Sequence, residues 1–172
     1  MTSIIQLGYK DNSGAPLVPG GGLLILNGGI MRAKANDRVK IHYKGSLRDG
    51  TVFDSSLGKE PFIFIVGKGA VIPGFEKGVV GMKAGDKKTV TIQPEDAYGL
   101  HREDLCTVIA RSRIPDNINL RPGMKLDVQS SRGASTRALV LDVTESFVTL
   151  DLNHPLAGKE LVFDLELIEI LS

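Results

Sequence analysis

The chain lacks several features that define whole classes of protein. It has one cysteine, Cys106, in 172 residues, so it cannot form an internal disulfide, which predicts a reducing, cytoplasmic compartment. It has no run of 18 apolar residues, so no membrane-spanning helix is predicted. The 21 basic and 20 acidic residues leave a net charge of +1, which argues against bulk attraction to nucleic acid or to an anionic membrane.

The residues expected of a metal or nucleophile site are also missing. The three histidines, His42, His101 and His154, lack metal-ligand spacing and no cysteine pair joins them, so neither a metal site nor a cofactor is predicted. The glycine-rich run 67–74 lacks the Gly-Lys-Ser/Thr ending of a phosphate loop. No Ser/His/Asp set stands in a motif context, which argues against a hydrolase. We interpret Cys106 as buried packing and not as a reactive thiol.

Residues 1–30 differ from the rest of the chain. Pro16, Pro19 and the glycines 20–22 break any regular element, and Met31 resembles a natural start. Three interpretations stay open for this segment: a leader added for expression, a natural extension, or a strand that pairs with a sheet edge.

One short helix is predicted at the centre of the chain. Apolar residues recur at helical spacing, with Pro73 in the first turn and Gly81 and Gly85 ending the element; the apolar face is Ile72, Phe75, Val79 and Met82. A helix of about ten residues cannot form a core alone, so it must pack into the concave face of a sheet.

The flanking segments predict that sheet. Residues 39–43 alternate as a half-buried strand, Asp49-Gly50 indicates a hairpin turn, and 61–66 is a strand with two apolar faces, inside the sheet or lining a pocket. Residues 88–92 form another strand. The alternation at 161–167 shifts phase at Ile168, which predicts a bulge or twist.

The segment between Gly99 and Asn153 has a separate pattern. Strands are predicted at 105–110, 124–128, 138–143 and 147–152, with turns at 121–123, 130–135 and 145–146. We therefore predict an α+β chain with a discontinuous domain, 31–100 plus 153–172, and a small inserted β-rich domain, 101–152.

Several motifs in order resemble the FKBP-type peptidyl-prolyl isomerases. They are HYKGSLRDGTVFDSS at 42–56, PFIFIVGKGAVIPGFEKG at 61–78, AYG at 97–99 and LVFDLEL at 161–167. The run NHPLAG at 153–158 and the segment before it are similar to the SlyD/SlpA branch, whose flap carries an inserted chaperone domain. The resemblance implies a half-wrapped antiparallel sheet around the helix, with an apolar prolyl pocket between them.

The resemblance also implies the residues of that pocket. Carried over by position, they are Tyr43, Phe53, Asp54, Phe62, Val71, Ile72, Phe75, Tyr98 and Phe163, with Leu156 at the rim. Tyr98 would donate its hydroxyl proton to the substrate carbonyl, Asp54 would accept from Tyr43, and the Ile72 N–H could hold a second carbonyl. Without the resemblance, the phenylalanines would be interpreted as ordinary core, Tyr98 as a structural tyrosine and Asp54 as a turn or cap.

Two departures from the family pattern bear on function. Phe75 stands where many members have a tryptophan on the pocket floor, which would tune the pocket. The sequence ends at Ser172 without a His- and Cys-rich tail, so nickel handling is not expected.

The resemblance implies a monomeric isomerase that needs no cofactor and binds unfolded polypeptides with X-Pro bonds, and FK506-like macrolides as a further ligand class. The insert would capture unfolded chain; candidate contacts are Leu105, Val108, Ile109, Ile114, Ile118, Met124 and Leu139, some of which must be the insert's own core. The alternative is a holdase or peptide-binding module with little isomerase activity.

Overall fold

The structure is a computed structural model and describes residues 31–129 and 135–171. The strands are β1 Arg38–Leu47, β2 Val52–Ser55, β3 Phe62–Ile65, β4 Lys87–Ile92, β5 Cys106–Ala110, β6 Lys125–Gln129, β7 Ser135–Val143, β8 Phe147–Asp151 and β9 Leu161–Leu171. The helix α1 is Pro73–Val79, and short 3-10 turns lie at Pro94–Asp96, Glu103–Leu105 and Arg111–Arg113. Within these residues no helix is long and apolar enough to cross a membrane. The interpretations of residues 1–30 lie outside the described residues.

The chain divides into two compact units. The first holds the described residues up to Ala97 and those from Lys159 onward, and the second is Tyr98–Gly158. The predicted insert, 101–152, falls within the second unit.

The first unit is an antiparallel sheet with one short helix. Its strand order is β2-β1-β9-β4, and β3 pairs with β1. β9 is long and alternates between buried and half-buried residues from Leu161 to Leu167, as predicted. Lys40 pairs with Glu169 but Ile41 pairs with Leu167, so Ile168 is the extra residue of a bulge and the predicted phase shift is confirmed. The α+β class expected from the sequence is confirmed.

The hairpin between β1 and β2 forms at the predicted Asp49-Gly50 turn. Gly50 has a φ of +87°, which a residue with a Cβ adopts only with strain. The Leu47 N–H donates to the Thr51 carbonyl at 2.9 Å, and the Asp49 carboxylate accepts from the Thr51 N–H at 2.9 Å. These bonds set the register in which β2 returns along β1.

The helix is shorter than predicted. It spans seven residues, with Pro73 at its first position, and ends at Val79. Val80 is already extended, with a ψ of 131°, and Gly81 follows with a φ of +84°. Met82 therefore lies outside the helix, although it is buried at 4% exposure as its place on the apolar face predicted. The two turns are too short to be stable alone and depend on packing against the sheet.

One strand prediction requires correction. The segment 61–66 has two apolar faces and was expected inside the sheet or lining a pocket. Among the described residues β3 pairs with β1 alone, so it is an edge strand and an interior position is wrong. Phe64 points inward and is buried, whereas Ile63 is 41% exposed. A single exposed isoleucine is tolerated at a protein surface, so two apolar faces do not require two covering layers.

The second unit is a four-stranded antiparallel sheet of order β5-β8-β7-β6. Its strands start within one residue of the predictions, except that β7 begins at Ser135 instead of residue 138. The core residues are Ile114, Leu120, Ala138, Val140, Val148 and Leu150. The turn at 121–123 and the bend at 145–146 are as predicted; the turn at 130–135 lies outside the described residues except for Ser135.

Candidate active site

Six aromatic rings of the first unit lie together, and we call them the aromatic cluster: Tyr43, Phe53, Phe62, Phe64, Phe75 and Phe163. Phe75 lies at the centre, with its ring centroid 5.3 Å from that of Phe163 and 5.7 Å from that of Tyr43. Both pairs meet edge to face, at 90° and 86°. Edge-to-face geometry directs the positive rim of one ring at the negative face of the next, which stabilises the cluster beyond the burial of its surface.

The period of the strands explains why these rings converge. Tyr43 on β1 pairs with Leu165, and Gly45, two residues further on, pairs with Phe163. Residues two apart point to the same face of a sheet, so Tyr43 and Phe163 share the face that α1 covers with Phe75. Phe64, on β3, is buried in the same cluster. From the sequence, Phe64 was predicted only as part of the strand 61–66 and not as a site residue.

Gly45 makes room for two of the rings. A Cβ at this position would lie 2.7 Å from Phe53 Cε2 and 2.8 Å from Phe163 Cε1, closer than carbon atoms approach without displacement. Gly45 was not predicted from the sequence as a site residue. A glycine within an alternating strand is itself the available signal, because it often marks a close approach.

Tyr43 is held by polar groups on β2 and in the segment after it. Its hydroxyl donates to Asp54 Oδ2 at 3.0 Å, the hydrogen bond that the resemblance implied. Asp54 Oδ1 accepts from the Ser55 N–H at 2.9 Å, and Ser56 Oγ accepts from the Tyr43 N–H at 2.8 Å. Ser56 is buried and was not singled out from the sequence. The phenol and the carboxylate therefore keep a defined orientation at the edge of the cluster.

The remaining predicted residues of the first unit lie at the start of the helix. Val71 and Ile72 are buried, with exposures of 1% and 0%, and the Ile72 carbonyl accepts from the Phe75 N–H at 3.0 Å. Phe75 and Phe163 are fully buried, whereas Phe53, Asp54 and Phe62 are half-buried. The exposed surface of the predicted set is therefore on β2 and β3.

Tyr98 and Leu156 belong to the second unit. The Tyr98 ring stacks on that of His154, with centroids 4.0 Å apart and planes 6° apart. Leu156 is buried, and its N–H donates to His154 Nδ1 at 3.1 Å. Burial lowers the pKa of His154, so its imidazole is neutral at pH 7 and can accept that hydrogen bond. His154 was not predicted from the sequence as a site residue.

The seven predicted contacts of the insert have different surroundings. Ile114 belongs to the core of the second unit, and Ile109, Ile118 and Met124 pack against that core. Leu105 and Leu139 are half-buried, whereas Val108 is 61% exposed. Phe147, which the sequence analysis did not select, is 55% exposed. Ile114 is therefore explained as core, and Val108 is the one predicted contact with most of its surface free.

Cys106 is half-buried at the start of β5. Burial, and then the nearby Asp151 carboxylate, raise the pKa of its thiol. A raised pKa keeps the thiol protonated at neutral pH and lowers its nucleophilicity. The raised pKa agrees with the expectation that Cys106 is not a reactive thiol, but the side chain is half-buried and not fully buried as expected.

The family described as FKBP-type peptidyl-prolyl cis-trans isomerase matches residues 29–168. A probable FKBP-type 16 kDa isomerase of Pseudomonas fluorescens is 37% identical over 81% of this chain and 92% of its own. A short-type isomerase of Methanocaldococcus jannaschii is 38% identical over 80% of this chain and 93% of its own.

The SlyD branch is also represented. The FKBP-type isomerase SlyD of Treponema pallidum is 38% identical over 73% of this chain and 71% of its own. A family match over most of the chain, relatives similar over most of their length, and an antiparallel sheet with one short helix agree with one another. The chain belongs to the FKBP-type peptidyl-prolyl cis-trans isomerases, and its enzymatic activity is the cis-trans isomerisation of X-Pro peptide bonds.

Proposed function

We propose that the aromatic cluster, with Asp54, binds the substrate proline, and that the second unit captures unfolded polypeptide for it. The observation that carries the first part is the hydrogen bond from the Tyr43 hydroxyl to Asp54 at the edge of a cluster that is otherwise apolar. Rotation of an X-Pro bond costs about 18–20 kcal/mol because amide resonance must be broken.

An apolar aromatic site suits this reaction. The planar amide is charge-separated and the twisted amide is less polar, so apolar surroundings disfavour the ground state more than the transition state. Rings also grip the pyrrolidine. Phe53 and Phe62 are the half-buried rings that an entering proline would meet first, and contact with Phe75 or Phe163 requires the side chains that cover them to move. No nucleophile and no cofactor is needed.

The role of Tyr98 stays a prediction and has a direct test. If its hydroxyl donates to the substrate carbonyl, Tyr98→Phe loses one hydrogen bond worth about 1 kcal/mol, and kcat/KM on a short proline peptide falls about fivefold. The stacked ring is retained, so a protease-coupled isomerisation assay on the folded variant measures the hydroxyl alone. An unchanged kcat/KM would remove Tyr98 from the catalytic residues.

The chaperone part rests on exposed apolar side chains of the second unit. Val108 on β5 and Phe147 on β8 lie on the sheet face opposite Val148 and Leu150, and both are more than half exposed. Exposed apolar surface of this kind fits an extended apolar segment of a client. Capture would raise the effective concentration of nearby prolines at the catalytic site.

The alternative is a holdase with little isomerase activity, and two assays on the same protein distinguish it from an isomerase that captures clients. Wild-type protein is measured on a short proline peptide and on the refolding of a protein whose folding is proline-limited. Isomerase with capture accelerates both, whereas a holdase suppresses aggregation without accelerating either. An FK506-like macrolide that occupies the aromatic cluster would inhibit both reactions.

A cytoplasmic location is part of the proposal. Cys106 is a free thiol, and free thiols are favoured in a reducing compartment such as the cytoplasm.

A further inference from the structure

Three potential ligand atoms converge in the second unit, outside the aromatic cluster. His101, Cys106 and Asp151 each contribute one such atom, and these atoms lie within 4.8 Å of one another. His101 Nε2 is 3.0 Å from Asp151 Oδ2. The spacing of the histidines predicted no metal site. That spacing could not show that His101 meets the carboxylate of Asp151, 50 residues away in the sequence.

The backbone positions these groups firmly. Cys106 and Asp151 are direct partners in the antiparallel pair of β5 with β8, so their side chains leave the same face. His101 approaches from the segment before β5. The Gly158 N–H donates to the Gly99 carbonyl at 2.8 Å, and a Cβ on residue 158 would lie 3.0 Å from the Cβ of His101. The backbone at Gly158 therefore packs directly against His101.

Asn153 holds the Asp151 carboxylate in place by two hydrogen bonds. Its backbone N–H and its Nδ2 both donate to Asp151 Oδ1, at 2.8 and 2.7 Å. Its Oδ1 accepts from the Arg102 N–H at 2.9 Å, and Nδ2 also donates to the Arg102 carbonyl at 2.8 Å. Asn153 is buried, so this frame is part of the packed unit. The hydrogen bonds from Asn153 engage Asp151 Oδ1, so Asp151 Oδ2 is the oxygen that faces His101.

His101 Nε2 makes one hydrogen bond in the present arrangement, which a metal ion would replace. This atom is 3.0 Å from Asp151 Oδ2, which can only accept, and 3.2 Å from Asn153 Nδ2, which can only donate. Both hydrogens of Asn153 Nδ2 are already directed to Arg102 and Asp151. The Nε2–H group therefore donates to Asp151 Oδ2, and transfer of that proton to Nδ1 would leave Nε2 and Oδ2 each with a lone pair for a metal ion.

We propose that His101 Nε2, Cys106 Sγ and Asp151 Oδ2 bind one divalent ion of the zinc class. Tetrahedral zinc with these ligand types places ligand atoms about 3.3–3.7 Å apart, which small side-chain rotations reach from the present separations. Thiolate and imidazole ligands disfavour magnesium and calcium. Three protein ligands leave a fourth position for water.

Binding is chemically balanced without a redox step. The S–H bond of Cys106 is replaced by a sulfur–metal bond and one proton passes to solvent, while His101 ligates as neutral imidazole and Asp151 as carboxylate. The two anionic ligands neutralise the charge of the ion. His101 is 44% and Asp151 13% exposed at the side chain, so an ion can enter from solvent. The ion would link the segment before β5 to the end of β8.

Cobalt provides a specific probe because Cys106 is the only thiol of the chain. Titration of the reduced full-length protein with Co²⁺ should produce a thiolate-to-cobalt charge-transfer absorption that saturates at one equivalent and is abolished by Zn²⁺. Cys106→Ser should lose this absorption while retaining its circular dichroism. Zn²⁺ should raise the thermal midpoint of the wild type but not that of Cys106→Ser.

Matched variants test the other ligands. His101→Gln and Asp151→Asn should each weaken Co²⁺ binding at least tenfold, and Asn153→Ala about 10–100-fold. His42→Gln and Asp142→Asn remove the same group types elsewhere and should leave the titration unchanged. The site is overturned if wild type gives no thiolate absorption in hundredfold excess of Co²⁺, or if His101→Gln and Asp151→Asn bind as tightly as wild type.

Discussion

The Tyr43 hydroxyl and the Asp54 carboxylate connect the apolar cluster to its polar edge. Asp54 Oδ2 accepts from Tyr43 at 3.0 Å, and Oδ1 accepts from the Ser55 N–H at 2.9 Å. A carboxylate with both oxygens engaged is oriented, and it holds the phenol ring in turn. At the scale of single residues, we therefore expect activity to depend on the charge-assisted hydrogen bond that Asp54 accepts from Tyr43.

Asp54→Asn tests this expectation against a matched carboxylate. The amide keeps the shape but weakens the hydrogen bond from Tyr43, so we expect kcat/KM on a proline peptide to fall about fivefold, equivalent to about 1 kcal/mol. Asp164→Asn alters a carboxylate of the same sheet that lies outside the cluster, and it should leave kcat/KM unchanged. Equal effects in both variants, measured in the protease-coupled assay, would show that Asp54 acts only through stability.

Among elements, β1 is central because it pairs with β2, β3 and β9. It supplies Tyr43 to the cluster and Gly45 to the space beneath Phe53 and Phe163. A strand with this many partners transmits a displacement at one residue to several rings.

Gly45→Ala should disturb the cluster without breaking the strand. The new Cβ would lie 2.7–2.8 Å from ring atoms of Phe53 and Phe163, so both rings must shift. Overpacking of this kind costs about 1–3 kcal/mol in the free energy of unfolding. We expect a lower denaturation midpoint and a kcat/KM reduced at least as much as in Asp54→Asn. Retention of wild-type values in both measurements would contradict the close packing.

A polar triad crosses the outer face of three strands. Asp164 on β9 accepts from Thr89 Oγ1 of β4 at 2.7 Å and pairs with Lys44 Nζ of β1 at 2.9 Å. These groups, Thr89 first, lower the pKa of Asp164 below its ordinary value of 3.8. Their stabilisation is present above about pH 4 and is lost as pH falls through the lowered pKa.

Thermal unfolding between pH 2 and pH 6 measures this contribution. The Asp164 side chain is 48% exposed, so the interaction is screened and worth about 0.2–1 kcal/mol. In Asp164→Asn the midpoint should be lower at pH 6 and fall less steeply with acid, and the two proteins should converge near pH 2. A constant difference between them at every pH would exclude titration of Asp164 as the cause.

For the whole molecule, the two units have separate sheets and separate cores. The first holds the aromatic cluster and the second holds the core around Val140, Val148 and Leu150. A division of this kind predicts that catalysis on a short peptide and capture of an unfolded chain can be separated by mutation.

Replacing His101–Leu152 with a short glycine-containing loop is the corresponding experiment. The sheet, the helix and Phe163 all remain, so the residual chain should fold, and isomerisation of short peptides should fall only modestly. Catalysed refolding of a proline-limited protein should fall at least tenfold, equivalent to about 1.4 kcal/mol of lost binding. A decline by the same factor in both assays would mean that the second unit acts only as a cover for the catalytic site.

The sequence alone determined the features that depend on local period. The alternation of β9, the Asp49-Gly50 turn, the bulge at Ile168 and the start of α1 at Pro73 were all predicted. Each is specified by residues within a few positions of one another, where backbone sterics and the period of the element decide the outcome.

Only the tertiary structure decided which distant residues meet. The room that Gly45 leaves for two rings, the edge position of β3 and the convergence of His101, Cys106 and Asp151 all depend on pairings between segments far apart in sequence. The helix is shorter than its apolar pattern because the backbone is extended at Val80 and left-handed at Gly81, although Met82 beyond its end is buried. Periodicity identifies which face of an element is buried, but strand register and packing between elements determine what that face contacts.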